Sequence, residues 1–420
     1  GGARTRRPPG APAGEGGPAL DGRPALEGLK VVDLTWVYAG PLATRVLAEH
    51  GATVVKIEGP GRPDAGRGGG GALAGDHGPE ASLQFASMNA DKLGLALDLN
   101  TPAGREVLVD LARWADVLVE SYTPGVMDAW GLGADALHAA NSELIVLSTS
   151  LMGQSGPLRG FAGFGNLAAA VCGFYELTGW PDRAPAGPFL AYTDYLAPRL
   201  TTAVLLAALE RRAREGGGER IDFSQAEAAI HFLAPALVEH EVLGAARGRL
   251  GNDDSALSPH GVFPCAGDDA WVAVVCETDE QWRALTALVD GPALAGLGAE
   301  ARLARRDELA ALVAGWTGRR SAAEAEAALI EAGVPAHRVQ NSGECWADPQ
   351  LAHLGHWRRV PHPKHGSVVI EGPRVRLSRS PAGPHRAGPL LGEHNELVLR
   401  DLLGYDDDRI AQLIVDGALG

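Results

Sequence analysis

Short apolar runs alternate with helix-periodic segments through the first third of this chain, and that alternation leaves few folds open. Leu29-Lys-Val-Val-Asp-Leu34 reads as a strand, Pro41-Leu-Ala-Thr-Arg-Val-Leu-Ala-Glu-His50 as a helix that Gly51 can end, and Thr53-Val-Val-Lys-Ile57 as a second strand. A β-α-β unit of this kind is the signature of parallel strands joined by helical crossovers. The pattern recurs in a strand at Leu95–Leu99, a helix from Thr101 to Ala115, and strands at Asp116–Glu120 and Leu144–Ser148. Thr101 suits a helix cap and Pro102 the first turn. The class expected is α/β, with ligands beyond the carboxyl ends of the strands. The first β-α turn, Thr35-Trp-Val-Tyr-Ala-Gly-Pro41, lacks the G-x-G-x-x-G spacing, so no dinucleotide fingerprint is present. Gly59–Gly78 is rich in glycine but lacks the Lys-Ser or Lys-Thr of a Walker loop, and reads as a mobile surface loop.

Composition narrows the partners. Of the 420 residues, 45% are hydrophobic and 21% charged, as in an ordinary globular protein. A net charge of −15 disfavours broad attraction to nucleic acid or to an anionic bilayer, and no long uncharged apolar window suggests a membrane span. The four cysteines, Cys172, Cys265, Cys276 and Cys345, show neither metal-ligand nor disulfide spacing and read as buried apolar side chains in a reducing, cytoplasmic setting. Residues 1–27 are rich in Gly, Pro, Ala and Arg without the apolar stretch of a signal peptide, and are expected to be disordered. No metal site is expected.

In the middle of the chain, Ala191-Tyr-Thr-Asp-Tyr-Leu-Ala-Pro-Arg-Leu200 leads into Thr201-Thr-Ala-Val-Leu-Leu-Ala-Ala-Leu209, the most apolar helix-like run. It places Asp194 at a helix start, with Pro198 where a first turn tolerates proline. From this pattern alone Asp194 is a helix cap or a functional carboxylate. Gly216-Gly-Gly218 closes the helix, Arg220–Phe223 reads as a strand, and Ser224-Gln-Ala-Glu227 as a capping box opening a second long helix. Residues 246–345 change character, to a loop, a strand at Trp271–Val275 and Ala-rich helices, as a small α+β domain would. Short strands near 357–371 and two C-terminal helices follow.

Taken together, several stretches resemble the class III CoA-transferases of the formyl-CoA transferase and carnitine CoA-transferase type. They include Leu26-Glu-Gly-Leu-Lys-Val-Val-Asp-Leu34, Ala39-Gly-Pro41, Leu47–Glu58, Asn89 with Lys92 before Leu97-Asp-Leu99, and Ala115–Glu120 with Pro124-Gly125. Gly153–Pro157, Ser258-Pro-His-Gly-Val-Phe-Pro264, Gly333-Val-Pro335, Asp348-Pro-Gln350 and Leu391-Gly-Glu-His394 continue the likeness in order. The resemblance implies a Rossmann-like large domain formed by both chain ends (28–225 and 346–420), a smaller α+β domain inserted after a linker helix (226–345), and an interlocked homodimer.

The resemblance also assigns Asp194 as the nucleophile that moves CoA from an acyl-CoA thioester to a carboxylic acid through acyl-aspartyl anhydride and aspartyl-CoA thioester intermediates. An aspartate with a pKa of about 3.9 is already ionised at neutral pH, and a thioester is activated enough to accept it. Tyr38, Ala39, Leu97, Asn100, Ser121, Tyr122, Thr123 and Phe164 resemble positions lining the CoA site. CoA and acyl-CoA would be substrates, with no permanently bound cofactor. Where some members carry a glycine loop over the aspartate, this chain has Asp253-Asp-Ser-Ala-Leu257, which argues against the smallest acyl groups. Gly59 and Ala129 stand where well-known members carry phosphate-binding arginines, leaving Arg62, Arg67 or Lys92 as substitutes. Two alternatives stay open. A racemase of the same family needs a second acid-base group, and Phe164 occupies its histidine position; a non-catalytic CoA-binding subunit would have no use for Asp194. Acyl donor and acceptor, and transfer within or between molecules, are not specified by the sequence.

Overall fold

The computed structural model describes residues 22–419 except Gly70, Gly71, Ala72 and His77. The segment 1–27 thus lies outside the described residues up to position 21. Beyond it the chain runs into a turn in which the Leu26 amide donates to the His50 carbonyl at 2.8 Å.

Six strands, β1 (Lys30–Leu34), β2 (Thr53–Glu58), β3 (Leu93–Ala96), β4 (Val117–Glu120), β5 (Ile145–Ser150) and β6 (Glu219–Ser224), form one sheet in the order β3-β2-β1-β4-β5-β6. Every pairing in it is parallel. The strand order therefore reverses direction between β1 and β4. At such a switch point the connections leave to opposite sides, and a crevice opens at the carboxyl ends of the two strands.

Both faces of the sheet are covered, which is why its strands read as nearly continuous apolar runs. On one face Val31, Val54, Val117 and Ile145 pack with Leu47 of the helix Ala39–Glu49 and with Ala197, Leu205 and Ala208 of the helix Tyr192–Glu215. On the other, Val32, Val55, Ile57, Leu118 and Val146 meet Val107, Leu108 and Leu111 of the helix Pro102–Trp114, together with Val398, Leu399 and Leu413 from the end of the chain. Thr101 caps that helix, its hydroxyl accepting from the Gly104 amide at 3.0 Å. The chain end also closes the sheet's open edge. The Gly94 amide in β3 donates to His394 Nδ1 at 3.1 Å, His394 N returns a bond to the Gly94 carbonyl at 2.9 Å, and Ala96 N donates to Asn395 Oδ1 at 2.9 Å. An unpaired edge invites pairing with foreign strands, and His394 helps to blunt it.

The chain divides into two compact units. The first comprises the sheet, its helices as far as Gly173, Pro188–Val238 and the chain from Pro349 onward; the second comprises Phe174–Gly187 and Glu239–Asp348. Within the first unit β10 (Trp357–His362) and β11 (Gly366–Glu371) make an antiparallel hairpin. The second holds the antiparallel sheet of β7 (His260–Pro264), β8 (Trp271–Val275) and β9 (Ala336–Arg338), whose core joins Val272, Val274, Trp282, Leu285, Leu309 and Val313.

Several local expectations are corrected. Gly59–Gly78 is no mobile surface loop over its described part: Ala65–Gly68 forms a 3₁₀ turn in which Asp64 and Arg67 are buried and ion-paired. Strand β3 starts and ends two or three residues before the expected Leu95–Leu99, since beyond it Asp98 N turns to the Ala418 carbonyl. The second long helix is broken into Gln225–Ile230, a 3₁₀ turn at His231–Leu233 and Ala234–Leu243. Pro235 accounts for the break, because it has no N–H for the carbonyl four residues earlier. Of the cysteines only Cys265 and Cys276 are buried; all four are free. Among the described residues no helix is long and apolar enough to cross a membrane.

Candidate active site

The turn after β1 is built on buried charge. Asp33, near the end of β1, accepts from the Thr35 amide at 2.9 Å and hydroxyl at 2.6 Å through Oδ1, and from Thr44 Oγ1 at 2.7 Å and Lys92 Nζ at 2.8 Å through Oδ2. Lys92 also donates to the Pro41 carbonyl and to Asn89 Oδ1. Beside this pair Lys56 of β2 donates to the Thr35 carbonyl and, at 2.8 Å, to Asp64 Oδ2, while Asp64 Oδ1 receives the Val37 and Gly66 amides. Glu58 and Arg67 form a third pair through two bonds of 2.8 and 2.7 Å. Burial alone would push the Asp33 carboxyl up, but the ammonium groups of Lys92 and Lys56 outweigh it and hold the carboxyl well below the usual range. Burial in turn pulls Lys92 down to about 8 against the opposing attraction of Asp33. The network fixes a strained turn: Val37 has φ of 69°, a region that β-branched residues avoid, and its amide is held by Asp64. Gly40 must approach Thr35 closely, since a Cβ there would lie 2.2 Å from Thr35 Cβ.

Asp194 sits in a different electrostatic setting. It is the third residue of the helix Tyr192–Glu215, whose N-cap, Ala191, makes no side-chain cap bond, so the capping role open to Asp194 in sequence is not the one it plays. Pro198 lies inside the helix, not in its first turn, and cannot donate to the carbonyl of Asp194 itself. The Asp194 side chain turns toward two other elements. Oδ2 accepts the Gly165 amide at 3.1 Å, at the start of the helix Gly165–Cys172, and Oδ1 accepts from Gln225 Nε2. Gln225 also donates to Thr193 Oγ1 at 2.9 Å, and that hydroxyl donates to the Gly165 carbonyl at 3.0 Å, closing a ring of hydrogen bonds around the carboxylate. A Cβ on Gly165 would fall 2.7 Å from Asp194 Cγ, so only glycine allows this approach. The residue is 5% exposed, and no cation pairs with it among the described residues. Burial therefore pushes its carboxyl above the ordinary range, with the bonds from Gln225 and Gly165 opposing in part.

The two settings meet through tyrosines. Tyr38, the N-cap of the helix Ala39–Glu49, packs on Tyr195 with ring centroids 5.5 Å apart. Burial, reinforced by Tyr38, pushes the Tyr195 hydroxyl up to about 12. Ala39 opens that helix. Ser121 and Tyr122 follow β4 across the switch point: Ser121 Oγ accepts the Trp36 amide at 3.0 Å, and the Tyr122 ring meets Trp36 edge-on at 6.3 Å. Thr123 is exposed in the same loop, its carbonyl accepting the Val126 amide. Phe164 is 61% exposed and immediately precedes the amide that binds Asp194. Leu97 and Asn100 differ from the rest. They follow β3, two strands from β1; the Leu97 side chain is committed to the core, and the Asn100 amide folds back on Asp98 Oδ1 at 2.8 Å. The loop Asp253–Leu257 belongs to the second unit, where Asp253 pairs with Arg306 at 3.6 Å and Asp254 Oδ1 accepts the Ala256 and Leu257 amides. Sequence reasoning missed Gln225 and Gly165. Gln225 lay inside what reads as a capping box, of which only the Ser224 half forms; for Gly165 the one signal was its place beside Phe164.

Comparison with known proteins identifies the family. The chain matches CoA-transferase family III over residues 26–395. It is 32% identical over 92% of its length to succinyl-CoA–D-citramalate CoA-transferase of Chloroflexus aurantiacus, covering 96% of that protein. It is 29% identical over 93% of its length to human succinyl-CoA:glutarate CoA-transferase, covering 89% of it. Among solved structures, a CAIB/BAIF family protein from Brucella suis superposes with a TM-score of 0.82 at 29% identity, over 91% of this chain and all of that one. With a family match across nearly the whole chain and relatives that transfer CoA between acids, this protein is a member of CoA-transferase family III and a CoA-transferase.

Proposed function

We propose that the protein transfers CoA between carboxylic acids through covalent intermediates on Asp194. The observation that carries this reading is a buried carboxylate with two hydrogen-bond donors and no paired cation, beside the switch-point crevice. An Asp194 oxygen attacks the acyl carbonyl of the donor thioester. The carbon–sulfur bond breaks, leaving a mixed anhydride and CoA thiolate. The thiolate then attacks Asp194 Cγ and expels the donor acid, giving an aspartyl-CoA thioester. The acceptor carboxylate attacks Cγ in its turn, releasing thiolate, which takes the acceptor's acyl carbon and returns Asp194 to a carboxylate. At each attack on Cγ one former carboxylate oxygen gains charge, and the Gly165 amide or Gln225 stands ready to receive it. Exclusion of water protects both intermediates from hydrolysis.

The names of the relatives favour a succinyl-CoA donor and a dicarboxylate acceptor. Racemisation is less well supported, because Phe164 cannot carry a proton. CoA would lie against Tyr38, Ala39, Ser121, Tyr122 and Thr123, with Phe164 near the thioester. Leu97 and Asn100 would contribute backbone only. An interlocked homodimer is part of this reading. Leu167, Val171, Val204, Leu206 and Ile230 leave large apolar side chains exposed on three mutually packed helices around Asp194, a surface that a second copy would cover. Sedimentation should give a mass twice that of the chain.

Incubation with succinyl-CoA and citramalate, malate or glutarate tests the reading directly. The wild type should form the acceptor's CoA thioester, and Asp194→Asn should form none. The rate should rise with pH through an acidic limb centred above the ordinary aspartate value of 3.8, because burial favours the protonated, unreactive form. The stability consequence has a defined sign. With its folded pKa raised, Asp194 binds more protons in the native than in the unfolded chain between the two values, so native stability falls as pH rises through that window. Asp194→Asn should thus melt no lower than wild type at pH 7. Gln225→Met, which removes one donor, should lower kcat by about 10²-fold to 10³-fold with little change in KM for the acyl-CoA.

A further inference from the structure

CoA carries several phosphate charges, and a chain with a net charge of −15 must meet them with local cations. Two of the cations in reach by sequence are already committed. Arg67 is buried, bonded to Glu58, to Glu80 at 2.7 Å and to the Pro389 carbonyl at 3.0 Å, and lies 3.7 Å from the Phe85 ring centre. Lys92 is fully buried against Asp33, Asn89 and the Pro41 carbonyl. Neither could turn to a ligand without leaving a buried carboxylate unpaired.

Arg62 is placed differently. Its amide donates to the Gly59 carbonyl at 3.1 Å, closing the turn Gly59–Arg62 that follows β2. The side chain is exposed and, among the described residues, is paired with no carboxylate. Its guanidinium lies over the Trp36 ring, 5.3 Å from the centroid. Trp36 in turn meets Tyr122, and Tyr122 meets Trp130 at 5.2 Å, next to Ala129. Arg62 therefore caps one end of an aromatic row, Trp36, Tyr122 and Trp130, that joins the turn after β1 to the segment after β4. Contact with the ring restrains the guanidinium while its N–H groups stay unpaired among the described residues, which suits phosphate recognition.

We propose that Arg62, oriented by Trp36, is the cation that binds a phosphate of the 3′-phospho-ADP portion of CoA in this chain. The proposal rests on the CoA-transferase reading of the same crevice. It is tested by calorimetric titration of CoA, and of pantetheine, which has the thiol arm but no phosphate, into the wild type, Arg62→Gln and Arg62→Lys. Arg62→Gln should raise the Kd for CoA about tenfold to a hundredfold and leave pantetheine binding unchanged, and Arg62→Lys should restore part of the loss. Equal weakening of both ligands would assign Arg62 to packing on Trp36, and unchanged CoA affinity would remove it from the site; either overturns the proposal. If the wild type bound neither ligand, the CoA reading itself would fall and the role of Arg62 with it.

Discussion

A carboxylate buried without a cation is an expensive arrangement, and the region around Asp194 is shaped by it. Three of the other buried acids around the turn after β1 are neutralised at contact distance, Asp33 by Lys92, Asp64 by Lys56 and Glu58 by Arg67, whereas Glu120 at the end of β4 has no ion pair among the described residues and accepts the Tyr122 amide. Those pairs hold charge firmly and make it unreactive. Asp194 receives only an amide hydrogen and a side-chain amide, so its charge stays partly uncompensated and its carboxyl is pushed up in pKa instead of down. The same fold thus contains two kinds of buried acid. The paired ones set geometry, and in the proposed function Asp194, which has no cation, does the chemistry.

The paired acids matter to function through the turn they fix. Asp33 and Asp64 hold Thr35 and Val37, and so determine where Trp36 and Tyr38 point. Tyr38 reaches Tyr195, the neighbour of Asp194, while Trp36 reaches Ser121 and Tyr122 beyond β4. One short turn therefore ties the switch point of the sheet to the start of the helix that carries Asp194. In the proposed function this tie would keep the pantetheine arm and the nucleophile in register. A displacement of about 1 Å at a reacting centre is enough to lower rates a hundredfold.

How far the sequence revealed this depended on the range of each contact. Strands β1, β2 and β4 were legible because alternating β and α periodicity is local, and Thr101 announced its cap for the same reason. The family was legible from motifs spread along the whole chain. The Gly59–Gly78 stretch was misread because glycine content reports backbone freedom, whereas its structure comes from Lys56, Glu58 and Pro389, partners fixed only by the fold. Leu97 looked like a ligand contact, yet the sheet turns its side chain into the core. Gln225 looked like part of a helix start; its contact with Asp194 joins residues thirty-one positions apart. The interruption after Ile230 was foreshadowed by Pro235 but hidden by the strong capping signal before it.

The central claim is that the uncompensated carboxylate bonds covalently to its cargo. Mass analysis of the peptide containing Asp194, after quenching the protein in the presence of succinyl-CoA and a dicarboxylate, addresses that claim without intermediaries. A mass increase corresponding to CoA or to the acyl group, located at Asp194 and absent from the Asp194→Asn protein, is the result predicted. Turnover of the substrates with an unmodified Asp194 peptide at every quench time would contradict it.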